Sequence, residues 1–200
     1  MMKTLVLAAI YSSLFAFSTS TCLAAPQTTP QTETAKGSAW PSDSIFNLSS
    51  QWFDQNGKQV VLADLAGQNV VFSLVYLTCQ YTCPTTISEM QEIRRKLSSK
   101  VRSQTRFVLI SIDPERDTPQ SMLAYTKKRK LDSKEWTFLT AKNDREVREL
   151  AVALNFQYQK TPDGEFSHSF IIYGLDKTGV VKERVVGAGQ DKAALIKVLK

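Results

Sequence analysis

Residues 70–84 read Val70-Val-Phe-Ser-Leu-Val-Tyr-Leu-Thr-Cys-Gln-Tyr-Thr-Cys-Pro84. Val70 to Tyr76 is a mostly apolar run of the length and character of a central strand buried on both faces. Two cysteines follow at once, four positions apart. Pro84 suits the first turn of a helix, and Ile87, Met90, Ile93 and Leu97 carry a helical apolar spacing on to about Lys100. Thiols between a strand's C-terminal end and a helix start stand where open α/β sheets collect their ligand sites. Helix N-terminal amides carry partial positive charge and stabilise a thiolate, that of Cys83 in particular. In a helix-like loop the two sulfurs share one face, ready to share a metal or to form a disulfide.

Working outward, Phe107-Val-Leu-Ile-Ser-Ile112 is a second buried strand, ending at Asp113-Pro-Glu-Arg-Asp-Thr-Pro119. Thr118 and Pro119 are an N-cap and N1 pair for a helix to about Leu131. Trp136 to Leu139 is a short strand. Asn143 with Glu146 starts a helix whose apolar face is Val147, Leu150, Ala151 and Leu154, and Asn155 ends it. A hairpin follows, Phe156–Lys160 against Ser169–Tyr173 around Pro162-Asp-Gly164. A turn at Asp176–Gly179 leads to Val180–Val186, and Asp191–Leu199 is a closing helix. Upstream, Ser44 to Leu65 reads as strands Phe46–Leu48, Gln51–Phe53 and Gln59–Leu62, with a turn at Asp54–Gly57. This order predicts an α/β, thioredoxin-like fold: a central mixed sheet flanked by helices, with an N-terminal β-hairpin extension.

The 200 residues, 42% hydrophobic and 22% charged, suffice for one domain. Within residues 1–25 Lys3 is the sole charge. Leu5–Phe17 is apolar but short for a membrane span, and Cys22-Leu-Ala-Ala25 ends the segment as a secretory signal peptide does. Retention as an anchor, or lipidation at Cys22, are the other readings of the same residues. Residues 26–39, rich in Gln, Thr and Pro, form a disordered linker, and 40–200 the domain. Export to the periplasm or the outer face of the cytoplasmic membrane follows. That compartment is oxidising, and cleavage leaves Cys79 and Cys83 as the only thiols. So short a loop gains little from a structural disulfide, which points the pair toward chemistry. The formal charge of +6 gathers at Arg94-Arg-Lys96 and Lys127-Lys-Arg-Lys130. Export argues against nucleic acid. These runs suit a solvated helix face, or docking to an acidic protein or anionic lipid.

His168 is the only histidine. It precedes the strand Ser169–Tyr173, whose start lies near the end of the adjacent central strand and so near the cysteines. Two thiolates and an imidazole form a soft three-ligand site that suits Cu(I), with the imidazole also suiting Cu(II). Zinc would ordinarily take a fourth ligand.

The Cys79-x-x-x-Cys83-Pro84 motif, the segment Phe107–Pro119 and Ser167-His-Ser-Phe-Ile-Ile172 occur together in the order in which the Sco/SenC family of copper-binding, thioredoxin-fold proteins carries them. From about Trp40 to Lys200 the chain resembles that family. The resemblance implies that Cys79, Cys83 and His168 are copper ligands. It further implies a metallochaperone or assembly factor, rather than an enzyme, acting on the copper-site subunit of cytochrome c oxidase or another cell-envelope copper or thiol protein. Gln80 and Tyr81 depart from the family's usual Pro and acidic residue, and they keep open the alternative of a thiol–disulfide oxidoreductase or redox sensor. Against that alternative stand the wider cysteine spacing and the lack of a Pro beside His168. Against a peroxidase, Leu74–Thr78 supplies the Thr that such sites place before the reactive cysteine, but no Pro and the wrong spacing. Asp113 is read as turn chemistry near the site. Trp52, Phe72, Tyr76 and Phe170 are read as core.

Overall fold

The computed structural model describes residues 39–79 and 82–200. The expected signal peptide and all but the last residue of the linker lie outside the described residues.

A short 3-10 turn at Ile45–Asn47, capped by the Ser44 hydroxyl, replaces the first expected strand. It is followed by the hairpin β1 (Gln51–Asp54) and β2 (Gln59–Val61). The Asp54 carboxylate accepts the Asn56 and Lys58 amides and so shapes the turn. β3 (Asn69–Val75) is buried throughout, as its apolar run predicts. The helix after it, α1 (Thr82–Lys96), stops four residues short of the expected Lys100. Ser98 there accepts the Val101 amide and caps a separate helix, α2 (Ser99–Ser103). The second apolar run is β4 (Thr105–Ser111).

Thr118 caps α3 (Pro119–Lys128) with Pro119 in its first turn, as expected. The helix ends before Leu131 because Lys130 takes a left-handed φ of 54°. β5 (Trp136–Ala141) is two residues longer than its aromatic core suggested. Asn143 caps α4 (Asp144–Ala153), which ends at Asn155 with φ 50°.

One pairing differs from the sequence reading. Tyr158–Lys160 (β6) does not pair with Ser169–Tyr173. It pairs with Phe166–His168 (β7) in a separate two-stranded ribbon, with Tyr158 opposite His168. The reason is the tightness of the turn: Gly164 donates to Thr161 and Thr161 donates to Glu165, closing the hairpin at once. The remaining strand, β8 (Ile171–Leu175), joins the main sheet with β9 (Val181–Val186), and α5 (Ala193–Val198) closes the chain.

The main sheet has the order β2-β1-β5-β4-β3-β8-β9. β3, β4 and β5 are parallel, while β8 and β9 are antiparallel additions at one side and β1 and β2 at the other. This is the expected thioredoxin-like arrangement, with the hairpin extension joined to the sheet through β1 and β5. Phe72 stacks on Tyr173 (ring centroids 4.7 Å apart) and Phe107 on Trp136 (5.1 Å), so aromatic pairs bind neighbouring strands. Trp52 is fully buried, and Trp52 Nε1 donates to Ser50. Lys192, nearly buried, lies 3.5 Å from Glu89 and 3.4 Å from Glu92, tying the C-terminal segment to α1.

Candidate metal centre

Because β8 runs antiparallel to β3, its start lies beside the end of β3: the Ser73 hydroxyl donates to the Ile171 carbonyl (2.7 Å). Cys79 follows the end of β3, and His168 closes β7 just before β8. One side chain bridges them. Tyr76, the residue after β3, sets its ring edge-on to His168 at 5.7 Å. Its hydroxyl donates to the Phe166 carbonyl (3.3 Å) and is in hydrogen-bond contact with the Cys79 thiol. Burial, and then the neighbouring thiol, hold this hydroxyl above its ordinary pKa. Cys79 itself is half-buried, and its amide donates to the Tyr76 carbonyl (3.3 Å). Cys83 is the second residue of α1, within the first turn as expected. Its side chain lies outside the described residues. Among the described residues no three His, Cys, Asp or Glu side chains gather as a metal site.

The imidazole is held in one tautomer. His168 Nδ1 lies 2.9 Å from the Ser169 carbonyl. A carbonyl only accepts, so Nδ1 carries the proton and Nε2 holds the lone pair. That Nε2 is buried and has no hydrogen-bond partner among the described residues. A buried acceptor left unmade costs free energy, and a metal ion would satisfy it. Fixing the far nitrogen by a backbone carbonyl is how metal-bound histidines are oriented. Burial lowers the His168 pKa, which keeps the ring neutral. Phe156 lies 6.1 Å from the imidazole and Phe166 5.3 Å from Tyr76. This aromatic wall keeps water from the ring. The donor set described here, a thiol and a buried lone pair on a neutral imidazole, fits a soft metal ion.

A hydrogen-bonded circuit holds the two halves in place. The buried Asp117 carboxylate accepts the Leu77 amide (3.0 Å) and the Ser111 hydroxyl (2.6 Å). Ser111 Oγ accepts the Asp113 amide (2.9 Å). Asp113, also buried, is paired with Arg116, whose guanidinium reaches Glu165 (3.1 Å) and sits over the Phe166 ring. Phe166 returns to Tyr76, next to Leu77. The cysteine loop and the histidine ribbon are thus both tied to residues 111–117. Burial raises the Asp117 pKa to about 6, although both of its hydrogen bonds pull it down. The sequence reading missed Tyr76, Arg116, Asp117 and Phe166 as site residues. It left Asp113 as turn chemistry, where the structure makes it a buried ion-pair partner. Trp52 and Phe72 are core as read, and Phe170 is half-buried.

The SCO1/SenC family model matches residues 42–200. The SCO1 protein homolog of Bacillus subtilis (strain 168) is 28% identical over 127 residues, covering 62% of this chain and 65% of that protein. The chain spans less than two thirds of the curated relatives it matches. The structure of Bradyrhizobium japonicum ScoI with copper bound superimposes with a TM-score of 0.62 at 27% identity, covering 75% of this chain and 94% of that one. BsSco, described with a disulfide switch and as a member of the Sco family of cytochrome c oxidase assembly proteins, superimposes with a TM-score of 0.64. It covers 78% of this chain and 95% of that one, and at 23% identity that likeness is one of fold. With the family model spanning the domain from residue 42 to the C-terminus, the chain belongs to the SCO1/SenC family.

Proposed function

We propose that this protein is a copper-carrying assembly factor of the cell envelope. In this reading Cys79, Cys83 and His168 hold a copper ion as cargo, and the recipient is the binuclear copper site of cytochrome c oxidase. The observation that carries the proposal is the buried Nε2 of His168, unpartnered among the described residues and set beside Cys79 through Tyr76. Support comes from the family membership and from a copper-bound relative of the same fold. Thiolates would hold Cu(I), and the imidazole would add the ligand that Cu(II) prefers.

A second reading uses the same pair as a reductant. The position of Cys83 in the first turn of α1 favours it, because a helix N-terminus stabilises the attacking thiolate. Two thiols would become one disulfide while a partner's disulfide accepts two electrons and two protons.

Anaerobic titration of the reduced protein tests the first reading. One copper per domain is expected. His168→Ala should weaken Cu(II) binding and leave disulfide formation between Cys79 and Cys83 intact. Absence of copper uptake by the reduced protein would eliminate copper transport and leave thiol exchange.

A further inference from the structure

The edge of the sheet opposite the cysteines carries most of the chain's excess charge. Residues 94–106 hold six Lys and Arg and no Asp or Glu. Residues 127–135 hold five more cations with Asp132 and Glu135. The fold brings these two stretches together at the N-terminal ends of the parallel strands, where Asn69 pairs with Thr105 and Phe107 with Trp136. Arg94 and Arg95 of α1 share a depression of about 250 Å³ with Lys130, Asp132 and Glu135. Glu135 pairs with Arg94 and lies 3.8 Å from Arg102, and the Arg106 guanidinium donates to the Ser133 and Lys134 carbonyls. The two carboxylates thus sit inside the cluster. Around them Arg95, Lys100, Lys127, Lys128, Arg129, Lys130 and Lys134 are exposed, with no ion pair among the described residues.

The chain also enters the domain at this edge. Ser44 bridges to Val180, and Ile45 donates to the carbonyl of Gly179 in the β8–β9 turn. That turn lies at the start of β3, since Val70 pairs with Leu175. Gly67 donates to Lys177 in the same turn, and Asn69 donates to Gln104 at the end of α2. The six residue steps from Asn69 to Val75 separate this edge from the cysteine loop by about 20 Å.

We propose that this cationic edge docks on the anionic head groups of a phospholipid bilayer. Charge complementarity supplies the attraction. Docking by this edge turns Tyr76, Cys79 and His168 away from the lipid, toward a partner. The proposal does not depend on what the cysteines bind.

Vesicle co-sedimentation of the full chain tests it, with phosphatidylcholine vesicles alone and with about 30% phosphatidylglycerol. Each juxtamembrane cation contributes about five-fold to partitioning at low salt. Lys128→Gln/Lys130→Gln should therefore reduce binding to the anionic vesicles by at least about ten-fold, and added salt should do likewise. Lys142→Gln/Arg145→Gln, which removes the same charge at the opposite edge, should leave binding nearly unchanged. Thermal unfolding confirms that both variants are folded. Equal binding to both vesicle types, or equal losses in the two variants, would overturn the proposal. So would poly-L-glutamate binding as tight as vesicle binding at equal charge, which would make the partner an acidic protein.

Discussion

Asp117 is a buried carboxylate whose ionisation strains the fold while it holds the cysteine loop. Its pKa rises from 3.8 to about 6, mainly through burial. A carboxyl with a raised folded pKa binds its proton more tightly in the folded state. Stability therefore falls as pH rises from below 3.8 to above 6 and is constant beyond. Two pKa units correspond to about 3 kcal/mol across that window. Asp117→Asn abolishes the titration and keeps one carbonyl oxygen for the Leu77 amide and the Ser111 hydroxyl, which both meet Oδ2. Urea unfolding of the reduced, metal-free protein between pH 4 and 7.5 should show the wild type losing about 2 to 3 kcal/mol relative to Asp117→Asn. Any constant offset from the buried amide group leaves that slope untouched, and other carboxylates cancel in the difference. Asp117→Ala strands both donors, at about 1–3 kcal/mol for each, and should be less stable than Asp117→Asn at every pH. A stability difference between wild type and Asp117→Asn that does not change with pH would refute the reasoning. A slope of opposite sign would do the same.

Other perturbations follow from the same geometry. Proton NMR of His168, the only histidine, should give a titration midpoint below 6.5, because burial favours the neutral ring. Its protonation then costs stability as pH falls below 6.5, and a midpoint at or above that value would contradict the packing described here. At Gly179, with φ 81°, an added Cβ would lie 2.5 Å from the Phe46 ring and 2.6 Å from Ser44 Oγ. Gly179→Ala should cost about 2–4 kcal/mol in thermal or chemical unfolding, and a loss under about 0.5 kcal/mol would mean that this corner relaxes freely.

The elements that the sequence disclosed are those whose signals are local. β3 and β4 are unbroken apolar runs, and Thr118 and Asn143 sit in front of the helices they cap. What stayed hidden depended on residues far apart in the chain. Nothing near Trp52 announces that it lies opposite Ala141, because edge pairing is selected by the shape of a sheet that already exists. The β6–β7 ribbon was misread for a subtler reason. Pro162-Asp-Gly164 was recognised as a turn, but its closure by Thr161 and Glu165 sets the register. A slip of a few residues decides whether His168 belongs to the ribbon or only precedes a strand of the sheet.

The site divides along the same line. Cys79, Cys83 and His168 could be singled out as candidates because thiols and imidazoles are few and chemically distinctive. The residues that position them could not be, since Asp, Arg and Tyr occur throughout the chain. Arg116 and Asp117 satisfy a local need, that of the turn and cap before α3, and this concealed their second one. Asp117 meets Leu77, 40 positions away, and Arg116 meets Glu165, 49 positions away. These two contacts attach one loop to both halves of the candidate centre. Tyr76 completes the ring through Phe166 and touches both Cys79 and His168. Displacing the cysteine loop would break the part-buried Leu77 bond to the buried Asp117 carboxylate, and displacing the ribbon would break the exposed Arg116–Glu165 pair. Bonds to a buried charge cost more to lose than pairs that water can replace. Through residues 111–117, then, the cysteine side is held by the costlier bond and the histidine side by the cheaper one.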